Sequence, residues 1–315
     1  MSDLACITCH FNFADFKRPV NNLHNFLSYM DKVGVEVFGV ELFLPNQQPQ
    51  TKNKKNWIQI KVCPEKNILW QKECLLNIAE TLVPDHYTNI AWIDADIEFD
   101  DDLWHEKAEE ALKAFDIIQL FEKAFLLDHK KNIMLEAHSA FKEHEYVNKD
   151  IGVFESFEKT LKKINLPKKT FYKHPGFAWA MKRSLWKKIN GLYSRCITGG
   201  IDQAMVSIFK KIALDENSKN EIGLNHFHFK KWSERLKYEN AKISYLEINL
   251  YHFFHGSTEN RKYKERNKFS RFFDAFSVAN INDVGILEWS DKAPQYLKNN
   301  IFDFFKEREE DEILD

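Results

Sequence analysis

The first half of the chain alternates short apolar runs with stretches whose apolar residues recur every three or four positions, and that pattern admits few folds. A strand covered on both faces reads as a continuous apolar run, an amphipathic helix as a three-and-four repeat, and the two in alternation specify a sheet flanked by helices. LACITC, residues 4–9, reads as the first strand. Pro19 then opens a helix whose Val20, Leu23, Leu27 and Met30 share a face, and Gly34 closes it. VEVFGVELFL is the next strand, the polar stretch from Pro45 to Asn56 an exposed loop, and WIQIKV a further strand. The spacing predicts a helix from Asn67 to Leu82, with Ile68, Leu75, Ala79 and Leu82 on one face. A short apolar strand from Asn89 to Asp94, a helix from Leu103 to Phe115 and the strand DIIQLF complete the series.

With 315 residues, 44% of them hydrophobic and 27 of them Phe, the chain can bury a large core without staples. A formal net charge of −2 argues against nucleic acid as the main partner, because phosphate-backbone binding needs a wide basic face. The five Cys form no spaced framework, and an odd count in a chain of this size points to reduced thiols and a cytoplasmic location. Cys6 and Cys9 make a CxxC, but inside an apolar strand with no second pair they read as buried thiols. The N-terminus lacks a basic stretch followed by a long apolar one, and no apolar run is long enough to span a bilayer, so no transmembrane segment is expected.

The segment from Lys130 to Lys169 is polar and weakly periodic, the expected place for an insertion or a mobile loop. From His174 the chain becomes dense in Gly and aromatics, which marks a second functional centre. The last residues, NIFDFFKEREEDEILD, read as an amphipathic helix running into a frayed, solvated acidic tail.

The sharpest chemical signal is Asp94-Ala95-Asp96 at the end of the strand NIAWID, with Glu98 and Asp100 to Asp102 beyond it. Carboxylates at the carboxyl end of a strand lie where open α/β sheets bind ligands, and hard oxygen donors suit Mn²⁺ or Mg²⁺, which can bridge a diphosphate. Arg261, Lys262, Tyr263 and Arg266 follow His255 in one short segment and suit a diphosphate clamp; a solvated basic helix face is the plain alternative. No Gly-rich phosphate cradle occurs, and nothing reads as a nucleophilic Ser or Cys with its base.

The strand with its DAD resembles the DxD element of GT-A glycosyltransferases, and PGFAWAMKRSLWKKINGL resembles their Gly-aromatic strand and helix. GGID, residues 199–202, is similar to the acceptor element of inverting galactosyltransferase-like members, with Ile201 in place of an acid, and YHFFHGSTENRKYKER resembles a C-terminal His-Gly-Ser segment. The resemblance runs in order over residues 4–270 and implies an α/β fold of GT-A type, a mixed central sheet flanked by helices over 1–280, with 281–315 as a helical extension. It implies Asp94, Asp96 and His255 as metal ligands, with His252 less favoured, and Asp202 as catalytic base. Thr8, His10, Phe11 and Asn12, then Trp70, Gln71 and Lys72, would bind the donor, and Gly176, Trp179 and Gly200 would line the sugar or acceptor pocket with Trp186. Each has a structural alternative: Trp70 and Trp186 as core, Asp202 as helix cap, His252 and His255 as ordinary strand-end residues.

The expected activity is metal-dependent transfer of a sugar from a nucleoside-diphosphate sugar, UDP-linked by family expectation, to a glycan or other hydroxyl acceptor. A nucleotidyltransferase on a related sheet and a silent glycan-binding module are the rivals.

Overall fold

A sheet of mixed direction organises the computed structural model, which describes residues 2–142, 172–209, 227–238, 240–257, 259–261 and 273–313. β1 (Leu4–Phe11), β2 (Val37–Phe43), β3 (Trp57–Lys61) and β4 (Asn89–Ile93) run parallel in the spatial order β4-β1-β2-β3. β10 (Ala178–Lys182) pairs antiparallel with β4 and with β6 (Ile117–Gln119), and β11 (Ile243–Tyr245) closes the row parallel to β6. The result is a mixed α/β architecture with helices on both faces of the sheet.

Side-chain alternation along β1 divides the core between those faces. Ala5 and Ile7 join one buried cluster and Leu4 and Cys6 the other, which is why LACITC reads as unbroken apolar. α1 (Lys17–Lys32) packs Leu23, Phe26, Leu27 and Met30 into the second cluster. It begins two residues before Pro19, and Gly34 follows its end at φ +72°.

The helix expected from Asn67 to Leu82 begins only at Lys72: α3 (Lys72–Thr81) follows a separate short helix, α2 (Pro64–Asn67). The break has a tertiary cause. Fully buried Gln71 accepts from the backbone N–H of Leu287 at 2.9 Å and donates to the carbonyls of Leu287 at 2.8 Å and Asn67 at 3.1 Å. α3 then buries Leu75, Leu76 and Ala79 in the first cluster.

A second sheet has the order β5 (Ile97–Phe99), β12 (Asn249–His252), β7 (Lys123–Leu127), β8 (Ile133–Ser139), β9 (Tyr172–His174). Part of the polar segment from Lys130 is therefore strand rather than loop. Asp128 accepts from the backbone N–H groups of Lys130 and Asn132, both at 2.8 Å, and this closes the turn that brings β8 back on β7. Residues 143–169 of that segment lie outside the described residues.

α4 (Trp104–Ala114), α5 (Arg183–Ile189), α6 (Ile201–Phe209) and α7 (Phe227–Tyr238) follow. The C-terminal part comprises α8 (Ala275–Val278), the hairpin of β13 (Ala279–Ile281) with β14 (Leu287–Trp289), and α9 (Gln295–Lys306). Leu297, Ile301, Phe304 and Phe305 of α9 join the same cluster as α3, so residues beyond 280 share the main core. The acidic tail is solvated only in part: Glu307, Glu309 and Asp311 are exposed. Glu310 is buried, and Asp311 accepts from the backbone N–H groups of Lys17 at 2.9 Å and Arg18 at 2.7 Å, satisfying the open end of α1. No helix among the described residues is long and apolar enough to cross a membrane.

Candidate metal centre and active site

β4 ends at Ile93, and Asp94-Ala95-Asp96 turns the chain into β5. Antiparallel pairing sets His252 of β12 opposite Ile97, and the backbone N–H of Phe253 donates to the carbonyl of Asp96 at 2.8 Å. That register delivers both histidines to the acid. Asp96 Oδ2 lies 3.0 Å from His255 Nε2 and 3.6 Å from His252 Nε2, and the two Nε2 atoms are 3.1 Å apart. One ligand atom from each residue falls within 4.8 Å of the others.

The donor set fits a divalent cation. One carboxylate with two imidazoles suits Mn²⁺, and Asp96 Oδ1 is buried without a hydrogen-bond partner, an arrangement that costs free energy unless something binds there. Burial would raise the Asp96 carboxyl, but His252 and His255 outweigh it and hold it well below the usual carboxylate range. Burial also lowers His252, which favours the neutral, ligating imidazole.

Three groups surround the histidines. His255 Nδ1 lies 3.3 Å from Glu310 Oε1, and Arg308 Nη2 lies 2.5 Å from the same oxygen. Burial would raise Glu310, but Arg308 and His255 overcome that and take it down to about 2. Arg261 Nη2 lies 2.5 Å from His255 Nε2. Phe177 adopts φ +74°, unusual for a bulky residue; its carbonyl accepts from Asp94 N–H at 2.8 Å, and its ring lies between His174 at 3.8 Å and His252 at 4.7 Å.

A second charged group adjoins the first. Lys72, at the start of α3, places Nζ 2.6 Å from Asp94 Oδ1 and 3.5 Å from Asp202 Oδ2 in the first turn of α6. Burial would lower Lys72, but Asp202, Asp94 and Glu73 hold the ammonium well above its ordinary value. Burial pushes Asp94 up, Lys72 opposes this, and the like charges of Asp96 and Asp202 leave it at about 6. Burial, reinforced by Asp202, pushes Glu73 up to about 8.

Of the residues singled out in the sequence, Asp96 and His255 meet, and the less favoured His252 joins them. Asp94 faces Lys72 instead. Lys72 and Asp202 come together, with Gly176 against Asp202. Trp70, half-buried, meets Phe11 edge-on at 5.6 Å beside Gly199. Gly200, at φ +97°, leads into α6. Other polar groups are committed elsewhere: Thr8 donates to the Ile93 carbonyl at 2.6 Å, Asn12 exchanges bonds with the Phe16 backbone, and Gln71 is the latch on Leu287. His10 is buried, and that burial lowers its pKa.

Trp179 does not line a pocket. It is 1% exposed, stacks on Trp92 at 6.0 Å and donates Nε1 to the Pro175 carbonyl at 3.0 Å, so its apolar area is spent in the core, as is that of Trp186. Lys262, Tyr263 and Arg266 lie outside the described residues.

Sequence reasoning missed Gln119 and Glu310. Gln119 Nε2 donates to the carbonyls of His174 at 2.9 Å and Gly176 at 3.2 Å, while Oε1 accepts from Ser139 Oγ and Ala140 N–H at 2.8 Å each, clamping the segment that faces Asp202. Neither residue carries a local signal, because both act on partners distant in sequence. The i and i+3 spacing of His252 and His255 at a strand end was readable.

No family model matches the chain. No curated protein matches it significantly. Among solved structures, the catalytic domain of Drosophila beta1,4-galactosyltransferase 7 in complex with xylobiose is similar over 77% of this chain and 63% of that one, at 10% identity and a TM-score of 0.35. A mutant of that enzyme in complex with manganese, UDP-Gal and xylobiose is similar over 77% and 64%, at 11% identity and a TM-score of 0.35. Mannose-1-phosphate geranyltransferase from Thermus thermophilus is similar over 80% and 74%, at 9% identity and a TM-score of 0.31. The chain thus spans less than two thirds of the length of the first two. Likenesses of this size carry no functional argument.

Proposed function

We propose that the protein is a metal-dependent transferase that moves a glycosyl group from a nucleoside-diphosphate sugar to an acceptor hydroxyl. The observation that supports this most is the convergence of Asp96, His252 and His255 beyond the end of β4, with Asp96 Oδ1 buried and unbonded. Asp96, His252 and His255 would hold Mn²⁺ or Mg²⁺. A cation bound there supplies charge neutralisation to a departing diphosphate.

The chain's own groups divide the remaining work. Asp202 takes the proton of the acceptor hydroxyl as the glycosyl bond forms. Lys72 offsets the negative charge of Asp94 and Asp202 and holds both in place. Arg261, beside His255, supplies a guanidinium for the donor phosphates. Trp70 and Phe11 give an aromatic wall on the β1 side.

The test is nucleotide release from a panel of UDP- and GDP-sugars with Mn²⁺. Selective, chelator-sensitive release is expected, abolished in Asp96→Asn and lowered ~10²–10⁴-fold in Asp202→Asn, with circular dichroism unchanged. Pyrophosphate release from a nucleoside triphosphate would replace glycosyl transfer with nucleotidyl transfer. Metal-independent glycan binding with no turnover would remove the enzymatic reading.

A further inference from the structure

The sequence gives KEREEDEILD no role beyond a charged end, yet the structure lays residues 308–312 of it against the proposed metal centre. It crosses over Gly256, which sits at φ +88°; a Cβ there would come within 2.7 Å of the Arg308 carbonyl and 3.1 Å of Glu310 Cα. Only glycine lets the tail pass at that distance. The crossing is pinned on both sides. Asp311 takes the backbone N–H groups of Lys17 and Arg18, and Asn260 Nδ2 donates to Glu312 Oε2 at 2.9 Å.

Between these pins Glu310 turns inward. It is 7% exposed, and its Oε1 meets His255 Nδ1 while Arg308 compensates the charge. A buried carboxylate is costly unless it is paired, and here the pairing includes a ligand histidine. A neutral imidazole has one N–H and one lone pair, so a proton shared between Nδ1 and Glu310 leaves the lone pair on Nε2. Nε2 is the atom that faces Asp96 and His252, while Arg261 Nη2 lies 3.0 Å from Nδ1 and 2.5 Å from Nε2.

We infer that Glu310 is a positioning residue of the metal centre: it fixes the His255 tautomer with Nε2 as ligand, so that the C-terminal tail sets the affinity of the site for its cation. This rests on the metal reading proposed above. Outer-shell partners of ligand histidines change metal affinity by roughly 10–100-fold. A tail that served only as a strut would change stability and leave that affinity alone.

The experiment titrates the full chain with Mn²⁺ alone, reading free Mn²⁺ by electron paramagnetic resonance, and follows each variant's thermal unfolding. Glu310→Gln is expected to raise Kd at least ~10-fold, with Glu310→Asp recovering much of the loss. Asp311→Asn frees the tail from α1 without touching His255; it should lower the melting temperature and leave Kd within about two-fold. Equal Kd shifts in Glu310→Gln and Asp311→Asn, or none in Glu310→Gln, would overturn the positioning role. A reading that needs no variant is the side-chain ¹⁵N shift of His255 in the metal-free protein: Nδ1–H is expected, and Nε2–H overturns the inference. If the wild-type chain binds no Mn²⁺, the metal reading itself fails, a result distinct from failure of the tail's role.

Discussion

Two glycines decide how closely the chain packs around Asp202, and they do so differently. Gly199 sits at φ +83°, and a Cβ there would lie 2.8 Å from the Trp70 ring. Gly176 has no such backbone constraint; its Cβ would lie 3.2 Å from Asp202 Oδ2 and 3.1 Å from His174 Cε1. Gly199→Ala should therefore cost roughly 1–3 kcal/mol, through backbone strain and displacement of the Trp70 indole, and lower the urea midpoint. Gly176→Ala should cost under about 1 kcal/mol because side chains can give by tenths of an ångström, while nucleotide release falls as Asp202 is crowded. Unchanged turnover in a stable Gly176→Ala variant would place the reacting atoms away from Asp202. Asp96 and His255 were legible because acids at a strand end and an isolated His-Gly-Ser carry local signals. Glu310 was not, since a glutamate in an acidic tail looks the same whether it faces water or a histidine.

At the scale of elements, the strands and helices whose burial follows local periodicity were legible, and those set by distant partners were not. β1, β2 and β4 are covered on both faces, so composition alone marks them. The sheet that carries His252 joins β5 and β7 to β12, far away in sequence, and β8 begins with the exposed Ile133 and Met134, so no window shows the pairing. The interruption between α2 and α3 has the same origin, because its cause lies at Leu287. Gln71→Ala would leave the backbone N–H of Leu287 buried without that partner, while the Leu287 carbonyl keeps Asn67 Nδ2 at 3.1 Å. A loss of about 1–3 kcal/mol is expected in urea unfolding, the cost of one unsatisfied buried group. A loss below 0.5 kcal/mol, on the order of an ordinary surface substitution, would mean that the latch does not hold the break.

At the scale of the whole molecule, buried titratable groups set how stability responds to pH. His10 and His174 are pushed down by burial, so as pH falls below about 6.5 the unfolded chain takes up protons that the folded chain refuses, and stability drops. Glu73 works in the opposite sense. Its folded value is about 8 against about 4.3 unfolded, so across that window the folded chain holds a proton the unfolded chain lacks, and stability is lost as pH rises. Asp94, raised to about 6, acts like Glu73 on the acid side only. Below about pH 6.5 the histidines oppose the two acids and flatten the profile; above it Glu73 acts alone among these groups. With chelator present to remove metal linkage, urea-unfolding free energy should fall by up to about 1.4 kcal/mol per pH unit between pH 6.5 and 8. Glu73→Gln keeps the shape and the neutral charge of the folded state but has no proton to lose, so its profile should stay level across that range. A variant profile that still falls would assign the alkaline loss to another group and leave the Lys72 cluster with an ionised Glu73 at neutral pH.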